Sequence, residues 1–284
     1  MVLLDYWNHQ GSKLRSAPTV KWFLRLWSDW WGDVSVADVR DKRRQEAFRA
    51  YLAGEGLAHN SINRCVEVGR AAIRRAWKDG VINAAPFIET LPTIETAPMG
   101  RPLTKSEARA LLQGATQDHI RLLILVGLAT AARPEAIKDL TWDRIDFKTG
   151  IVRLNPPGRV QNKKHRPDVK VGPTVLAELE KYRDRKQGDH LIMFRNRRVM
   201  RNNTGWAKAL KAAGLDRRVN QYSMRHTVAR YLREHEVDTM EIANMLGHKR
   251  HGFEITMRYM PHDPSYLKKS VDVLDDLISF CLRA

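Results

Sequence analysis

Two arginines in the second half of the chain, Arg133 and Arg225, are of the residue type that binds phosphate. Arg133 lies in the segment 129–146, and Arg225 lies in Tyr222-Ser-Met-Arg-His-Thr227. A planar guanidinium grips phosphate through two parallel hydrogen bonds and stays protonated at neutral pH. An arginine can equally serve as a structural ion-pair partner, and Glu135 is the obvious partner for Arg133. Neither arginine defines a site by itself.

A third segment adds a histidine and a tyrosine. Met245-Leu-Gly-His248 is followed by Thr256-Met-Arg-Tyr259. A phenol is a nucleophile once it is deprotonated, and nearby arginine charges lower its pKa and favour that form. A tyrosine near the end of a chain can equally be a packing or surface residue. Tyr266 is the nearest rival, but it lacks the Thr-x-x-Tyr context.

Taken in order, the three segments resemble the signature boxes of the tyrosine recombinase, or phage integrase, family. The segment 129–146 resembles the family's T-G-x-R-x-x-E-x-x-x-L-x-W-x-D-I-D box, and 222–227 resembles H-x-L-R-H-T. The third segment resembles L-G-H followed by T-x-x-Y. The resemblance covers the chain from about Leu103 to its end, and each box alone is a weak signal. It implies a DNA recombinase or integrase that cleaves and rejoins strands through a covalent 3′-phosphotyrosine.

The resemblance also implies roles for individual residues. Tyr259 is the expected nucleophile. Arg133 and Arg225 are expected to stabilise negative charge on the non-bridging phosphate oxygens, because cleavage by phosphoryl transfer builds charge there. His248 is expected to donate a hydrogen bond to one of these oxygens.

Two further roles fall on positions that match the family pattern less closely. The family takes the proton for the leaving 5′-oxygen from a lysine on a β-hairpin, and residues 160–167 occupy that place. Lys163 is the expected general acid and Lys164 the alternative. Tyr222 stands where the family usually has His or Lys, and a phenol is a poor proton acceptor near neutral pH. His226 or His248 is the alternative base, and we interpret the longer spacing before Tyr259 as a small insertion.

Charge indicates the partner. Lys plus Arg number 49 against 32 Asp plus Glu, a formal net charge of +17 that favours double-stranded DNA. The family resemblance implies a homo-oligomer, a dimer on one site and a tetramer in synapsis. No apolar run is long enough for a membrane span, so we expect no membrane partner. We expect no cofactor and no metal, because His248 and His251 lack supporting ligands and two arginines supply the positive charge.

Composition and helix breakers predict two domains. The expected fold class is mainly α with a small antiparallel β-sheet in the catalytic domain, a two-domain tyrosine recombinase-like architecture. We expect a helical DNA-binding, or core-binding, domain at 1–91, a linker at 92–101 rich in proline, and a catalytic domain at 102–284 with a C-terminal helix. In the first domain a helix from Ser61 to Lys78, capped by Asn60 or Ser61, has one apolar and one basic side. Its predicted DNA contacts, together with Lys164 of the catalytic domain, are Arg64, Arg70, Arg74, Arg75 and Lys78.

Local signals predict elements of the second domain. Thr104-Lys-Ser-Glu107 is a capping box that opens a helix. Residues 145–154 predict a β-hairpin around Lys148-Thr149-Gly150, with a third strand at 167–171. A final amphipathic helix from about Ser265 to Leu282 has one apolar stripe, which we expect to dock on a neighbouring protomer when DNA is bound, or else in its own core.

Two other readings of the sequence remain open. The helix that ends at Gly247 also resembles a helix-turn-helix reader, which would make the protein a non-catalytic DNA-binding regulator. A type IB topoisomerase shares the chemistry. Cys65 and Cys281 are far apart in sequence on apolar helical faces, which favours two reduced core thiols in a cytoplasmic protein.

Overall fold

The computed structural model describes residues 1–95, 99–161, 164–248, 259 and 262–283. The chain divides into two compact units, Met1–Thr96 and Ala97–Ala284. Both are built mainly from helices, and the strands that the structure describes are short, antiparallel and located in the second unit. The predicted fold class is confirmed. Among the described residues, no helix combines the length and apolar character needed to span a bilayer.

In its described residues, 1–95, the first unit is a cluster of four α-helices around an aromatic core. They are α1 (Val2–His9), α2 (Ala17–Trp31), α3 (Lys42–Gly54) and α4 (His59–Lys78). Helices α2 and α4 approach closely at Gly69, where any Cβ would overlap the ring of Trp27. The indole Nε1 of Trp27 donates to the carbonyl of Cys65 at 2.8 Å, which satisfies this buried polar group.

The start of α4 differs from the prediction. The helix begins at His59, and Ala58 in extended conformation is its N-cap, with no side chain capping this end. Ser61 already lies in the first turn, where its N–H donates to the carbonyl of Ala58 at 2.7 Å. Asn60 and Ser61 were therefore wrong as caps. A tertiary contact accompanies the earlier start, because the His59 ring donates to the Pro92 carbonyl at 2.7 Å.

The second unit surrounds the buried helix α6 with further helices. In chain order its described helices are α5 (Lys105–Gly114), α6 (Asp118–Thr130), α7 (Pro134–Lys138), α8 (Pro173–Arg183), α9 (Asn203–Ala212), α10 (Ser223–Glu234), α11 (Thr239–Leu246) and α12 (Lys268–Leu282). The predicted capping box is confirmed: the Thr104 hydroxyl accepts from the Glu107 N–H at 3.1 Å, and the Glu107 carboxylate accepts from the Thr104 N–H at 2.9 Å. The predicted burial of α6 is also confirmed.

The strand pairing of the second unit differs from the prediction. Strand β1 (Ile151–Arg153) pairs antiparallel with β2 (Asp168–Lys170), whereas one isolated bridge, Ile145 to Val152, joins the two halves of the predicted 145–154 hairpin. The turn after Asp146 is closed by its carboxylate, which accepts from two backbone N–H groups of the turn. The segment predicted as a third strand is thus the partner of β1, and residues 154–167 connect the two strands. A second pair, β3 (Met193–Phe194) with β4 (Arg197–Arg198), was not predicted.

Helix α12 packs within its own unit. Its apolar stripe, which includes Leu274, Leu277 and Ile278, is buried in the core that α5 and α6 also form. The carboxylate of Asp275 accepts from the backbone N–H of Thr174 at 3.0 Å and from its hydroxyl at 2.7 Å, so α12 also ties down the start of α8. The structure therefore shows the docking in cis that was the alternative to docking on a neighbouring protomer.

Both cysteines are buried and unpaired, as predicted. Burial raises the pKa of the Cys65 thiol to about 12 and that of Cys281 to about 11. Because the thiolate is the reactive form, both thiols are chemically quiet core residues.

Candidate active site

Arg133 is presented by a sharp change of direction between two helices. Helix α6 ends in left-handed backbone at Ala131, with φ 52°, and Arg133 is the N-cap residue of α7. The half-buried guanidinium donates from Nη1 to the carbonyl of His165 at 2.8 Å. The structural ion pair with Glu135 is not formed. Glu135 is exposed and binds Lys138 instead, with Nζ 3.0 Å from its carboxylate.

Arg225 connects the ends of two other segments. From helix α10 its guanidinium donates to the carbonyl of Ala131 at 2.9 Å and to that of Leu246 at 2.6 Å. Its Nη2 also lies 3.0 Å from Nε2 of His248. Because arginine can only donate, Nε2 accepts, and the proton of a neutral His248 is on Nδ1.

Gly247 fixes the position of the segment that carries His248. It ends α11 in left-handed backbone, with φ 62°. A Cβ at this position would lie 2.6 Å from Cδ of Pro167 and 2.9 Å from the carbonyl of His165. A larger residue would therefore push His248 away from the loop that also accepts from Arg133.

The two arginines and His248 share one positive field. Burial and, second to it, the charge of Arg133 lower the pKa of Arg225 to about 10, while Tyr222 acts in the opposite direction. Burial is also the main cause of the lowered pKa of Arg133. The pKa of His248 is lowered by loss of water, then by Arg225 and Arg133, so its ring is neutral at pH 7. Arg225 remains protonated there, because its pKa of about 10 is well above neutral pH.

The partners of these arginines are carbonyls rather than carboxylates. Among the ion pairs of the described residues, none involves Arg133 or Arg225. A backbone carbonyl orients a guanidinium but does not neutralise its charge. Two partly desolvated positive charges without an acidic partner in this part of the chain form a receptor for an anion.

Of the other predicted catalytic residues, Tyr222 also lies at this site. It is half-buried at the start of α10, and its phenol interacts electrostatically with both arginines. Lys163 falls outside the described residues. Lys164 is exposed, and its carbonyl accepts from Arg159 Nη2 at 3.2 Å. Tyr259 is 84% exposed.

Comparison with known proteins identifies the family. A family model described as the phage integrase family matches residues 101–265. The chain belongs to the phage integrase family. Among its relatives is the tyrosine recombinase XerD of Pseudomonas putida, 22% identical over 264 residues that cover 85% of each protein. Another is the integrase of Salmonella phage P22, which is 25% identical. The alignment covers 72% of this chain and 54% of the phage protein.

Solved structures of integrases share the fold of this family member. A Tn1549 transposon integrase in complex with a circular intermediate DNA superposes with a TM-score of 0.72 at 16% identity, covering 95% of this chain and 96% of its own. A lambda integrase tetramer bound to a Holliday junction gives a TM-score of 0.67 at 18% identity. The superposition covers 92% of this chain and 76% of the lambda integrase chain. At these identities the likeness shows the fold.

The predicted DNA contacts of this integrase-family protein on α4 are not equivalent. Arg64, Arg74 and Lys78 are exposed on the side of the helix opposite its buried residues. Arg75 is half-buried and forms an ion pair within the protein, with its Nε 3.2 Å from the carboxylate of Asp79. Arg70 is half-buried beside a cavity of about 180 Å³ that Phe87 also lines.

Two features near the site carried little sequence signal. Arg166 belongs to a basic run, typical of a solvated loop, yet it is buried and its Nη1 is 2.6 Å from the carboxylate of Asp139. His262 follows Tyr259 by three residues, and its Nε2 donates to the carbonyl of Asp168 at 2.6 Å. The chain just past the proposed nucleophile is therefore held on β2 of the same unit.

Proposed function

We propose that this phage integrase family member is a site-specific DNA recombinase that forms a covalent 3′-phosphotyrosine at Tyr259. The observation that carries the proposal is the pair Arg133 and Arg225, partly desolvated, held by carbonyls and adjacent to His248. Such a pair meets the charge that develops on phosphate oxygens during phosphoryl transfer. Tyr259 is exposed to solvent, which the proposed attack on DNA requires.

Each step of the proposed reaction conserves atoms. The Tyr259 oxygen attacks the scissile phosphorus and forms a new O–P bond while the P–O5′ bond breaks. The phenol proton is lost to a base, with His226 and His248 as candidates, and O5′ takes a proton from Lys163 or Lys164. A 5′-hydroxyl is released, and its attack on the phosphotyrosine rejoins a strand.

Double-stranded DNA is the proposed partner. The net charge of +17 and the exposed Arg64, Arg74 and Lys78 on α4 provide phosphate contacts that are independent of base sequence. We propose dimers on one site and tetramers in synapsis, in line with the lambda integrase tetramer bound to a Holliday junction that shares this fold. The cytoplasm is the proposed compartment, because DNA is accessible there.

Covalent capture tests the proposed function. Wild-type protein is incubated with a library of nicked duplexes that have randomised sequence around the nick, so that the short cleaved strand diffuses away and traps the enzyme. We expect DNA covalently attached to the protein after denaturation, and sequencing it yields a preferred site. Tight DNA binding without any adduct would indicate a non-catalytic regulator. Relaxation of supercoils without strand exchange between duplexes would indicate a type IB topoisomerase.

Cleavage is expected to be independent of divalent metal. In the proposed mechanism the two arginines supply positive charge at the phosphate and His248 supplies a hydrogen bond, which is the work that a metal ion performs in other phosphoryl-transfer enzymes. Adduct formation on the captured site is measured in EDTA and in Mg²⁺, and equal rates are expected. Activity that disappears in EDTA and returns with Mg²⁺ would contradict this mechanism.

Tyr222→Phe is expected to slow cleavage only modestly. The phenol can donate one hydrogen bond to a phosphate oxygen, and a bond worth ~1 kcal/mol corresponds to roughly a fivefold change in rate. Tyr222→His is expected to be active. Adduct formation is measured under single-turnover conditions across a pH series. If Tyr222→Phe matches wild type at every pH, the phenol has no catalytic role.

A further inference from the structure

Asp139 ties the loop that carries the proposed general acid to the helix that Arg133 begins. It lies at the C-terminal end of α7. One carboxylate oxygen is 2.6 Å from Arg166 Nη1, and the other is 2.7 Å from Arg198 Nη2. The Arg166 side chain is buried, and Asp139 is 23% exposed. A buried guanidinium paired at this distance is a rigid anchor.

Further hydrogen bonds between described residues close the same loop. The Gln161 amide donates to the Arg166 carbonyl at 2.8 Å and accepts from the Arg166 N–H at 3.1 Å. Arg159 donates to the Gln161 side chain and to the Lys164 carbonyl, each at 3.2 Å. We call the hydrogen-bonded pair Gln161 and Arg166, with Asp139 bound to Arg166, the clamp. The two lysines that are candidates for the general acid lie in sequence between Gln161 and Arg166.

We propose that Asp139 is a positioning residue that holds the general-acid lysine in register with Arg133. The inference rests on the proposed function. Arg133, at the start of α7, donates to the His165 carbonyl at 2.8 Å, and Asp139, at its end, binds Arg166. The loop therefore contacts both ends of α7. General-acid catalysis is sensitive to displacements of a fraction of an ångström, because the proton must lie within hydrogen-bond reach of the leaving oxygen.

The carboxylate of Asp139 is charged under working conditions. Burial alone would raise its pKa, but the hydrogen bond from Arg166 and the charges of Arg166 and Arg198 keep the pKa below its usual range. Asp139→Asn is nearly isosteric and removes this charge. It should loosen the hold on Arg166 without creating a cavity.

A change of leaving atom separates general-acid catalysis from every other contribution. In normal DNA the P–O5′ bond breaks, and O5′ needs the proton of the lysine. When sulfur replaces the 5′-bridging oxygen, the P–S bond breaks and the thiolate departs without a proton, because a thiol pKa is near 8.5. A variant that has lost only its general acid therefore recovers on the sulfur substrate.

The experiment uses the full-length protein and the nicked duplex captured with wild type, made with oxygen or sulfur at the scissile position. For Asp139→Asn we expect about a 10²-fold loss in the single-turnover rate of adduct formation on the oxygen substrate. On the sulfur substrate we expect the rate of Asp139→Asn to recover to within about threefold of wild type. The same recovery is expected for Lys163→Ala or Lys164→Ala, whichever of the two removes the general acid. Asp139→Glu, which retains the charge, should recover part of the oxygen rate.

Two controls make the result specific. Asp216 also pairs with two arginines, 3.1 Å from Arg218 and 3.4 Å from Arg101, but it lies outside the clamp, so Asp216→Asn should cleave like wild type. Arg225→Ala should stay slow on both substrates. Equal slowing of Asp139→Asn on both substrates, or no slowing on either, would overturn the positioning role. No adduct from wild type on either substrate would overturn the proposed function itself.

Discussion

Tyr259→Phe is expected to abolish the covalent protein–DNA adduct and to leave DNA binding nearly unchanged. The substitution removes one hydroxyl, the proposed attacking atom, and the phenol is 84% exposed, so no packing is lost. Binding depends on many phosphate contacts spread over the basic surface, and one hydroxyl contributes little to them. The adduct is measured on the captured nicked duplex by denaturing gel, and binding by a mobility shift at matched salt.

Tyr266→Phe is the matched control for this substitution. Tyr266 is also a C-terminal tyrosine and 65% exposed, so the same chemical change is made in a similar setting. It should form the adduct at the wild-type rate. An adduct that persists in Tyr259→Phe, or that disappears in Tyr266→Phe, would assign the nucleophile to another residue.

The sequence singled out the segments that carry Arg133, Arg225 and His248 but could not show how they meet. Arg133, Arg225 and His248 come from three distant segments, and the structure places them around one another. Backbone carbonyls of Ala131 and Leu246 hold Arg225, and that of His165 holds Arg133, and any residue provides a carbonyl. The positions of the three side chains depend on how three internal segments of the chain come together. No pattern of side chains along the sequence specifies that arrangement.

Fold elements were predictable where a local interaction dominates. The Thr104–Glu107 capping box is satisfied by neighbours in sequence and was predicted correctly. The pairing of β1 with β2 depends on residues that the loop 154–167 separates, and the sequence favoured the nearer partner instead. Burial of Arg166 could not be predicted either, because a basic run is usually solvated and the decisive partner, Asp139, lies 27 positions earlier.

Arg225→Ala is expected to reduce the rate of strand cleavage by about 10²–10³-fold. Losing a preorganised donor aimed at developing charge has an effect of this size in other enzymes. Burial is the main cause of the lowered pKa of Arg225, about 10, and a charge in such surroundings is screened less by water. Arg133→Ala should be slowed in the same range, since both guanidiniums belong to one receptor.

A neutral phosphate distinguishes this electrostatic role from a structural one. Arg225 also bonds the carbonyls of Ala131 and Leu246, so its loss could disturb the positions of α6 and α11. A methylphosphonate at the scissile position removes one negative charge from the phosphate. One arginine is then no longer needed to stabilise that charge in the transition state. If Arg225 acts on charge, this substrate narrows the gap between Arg225→Ala and wild type, while thermal melting shows the variant folded. If the gap stays as wide as on normal DNA, the side chain acts by holding the two helix ends, and the transition-state role passes to Arg133 alone.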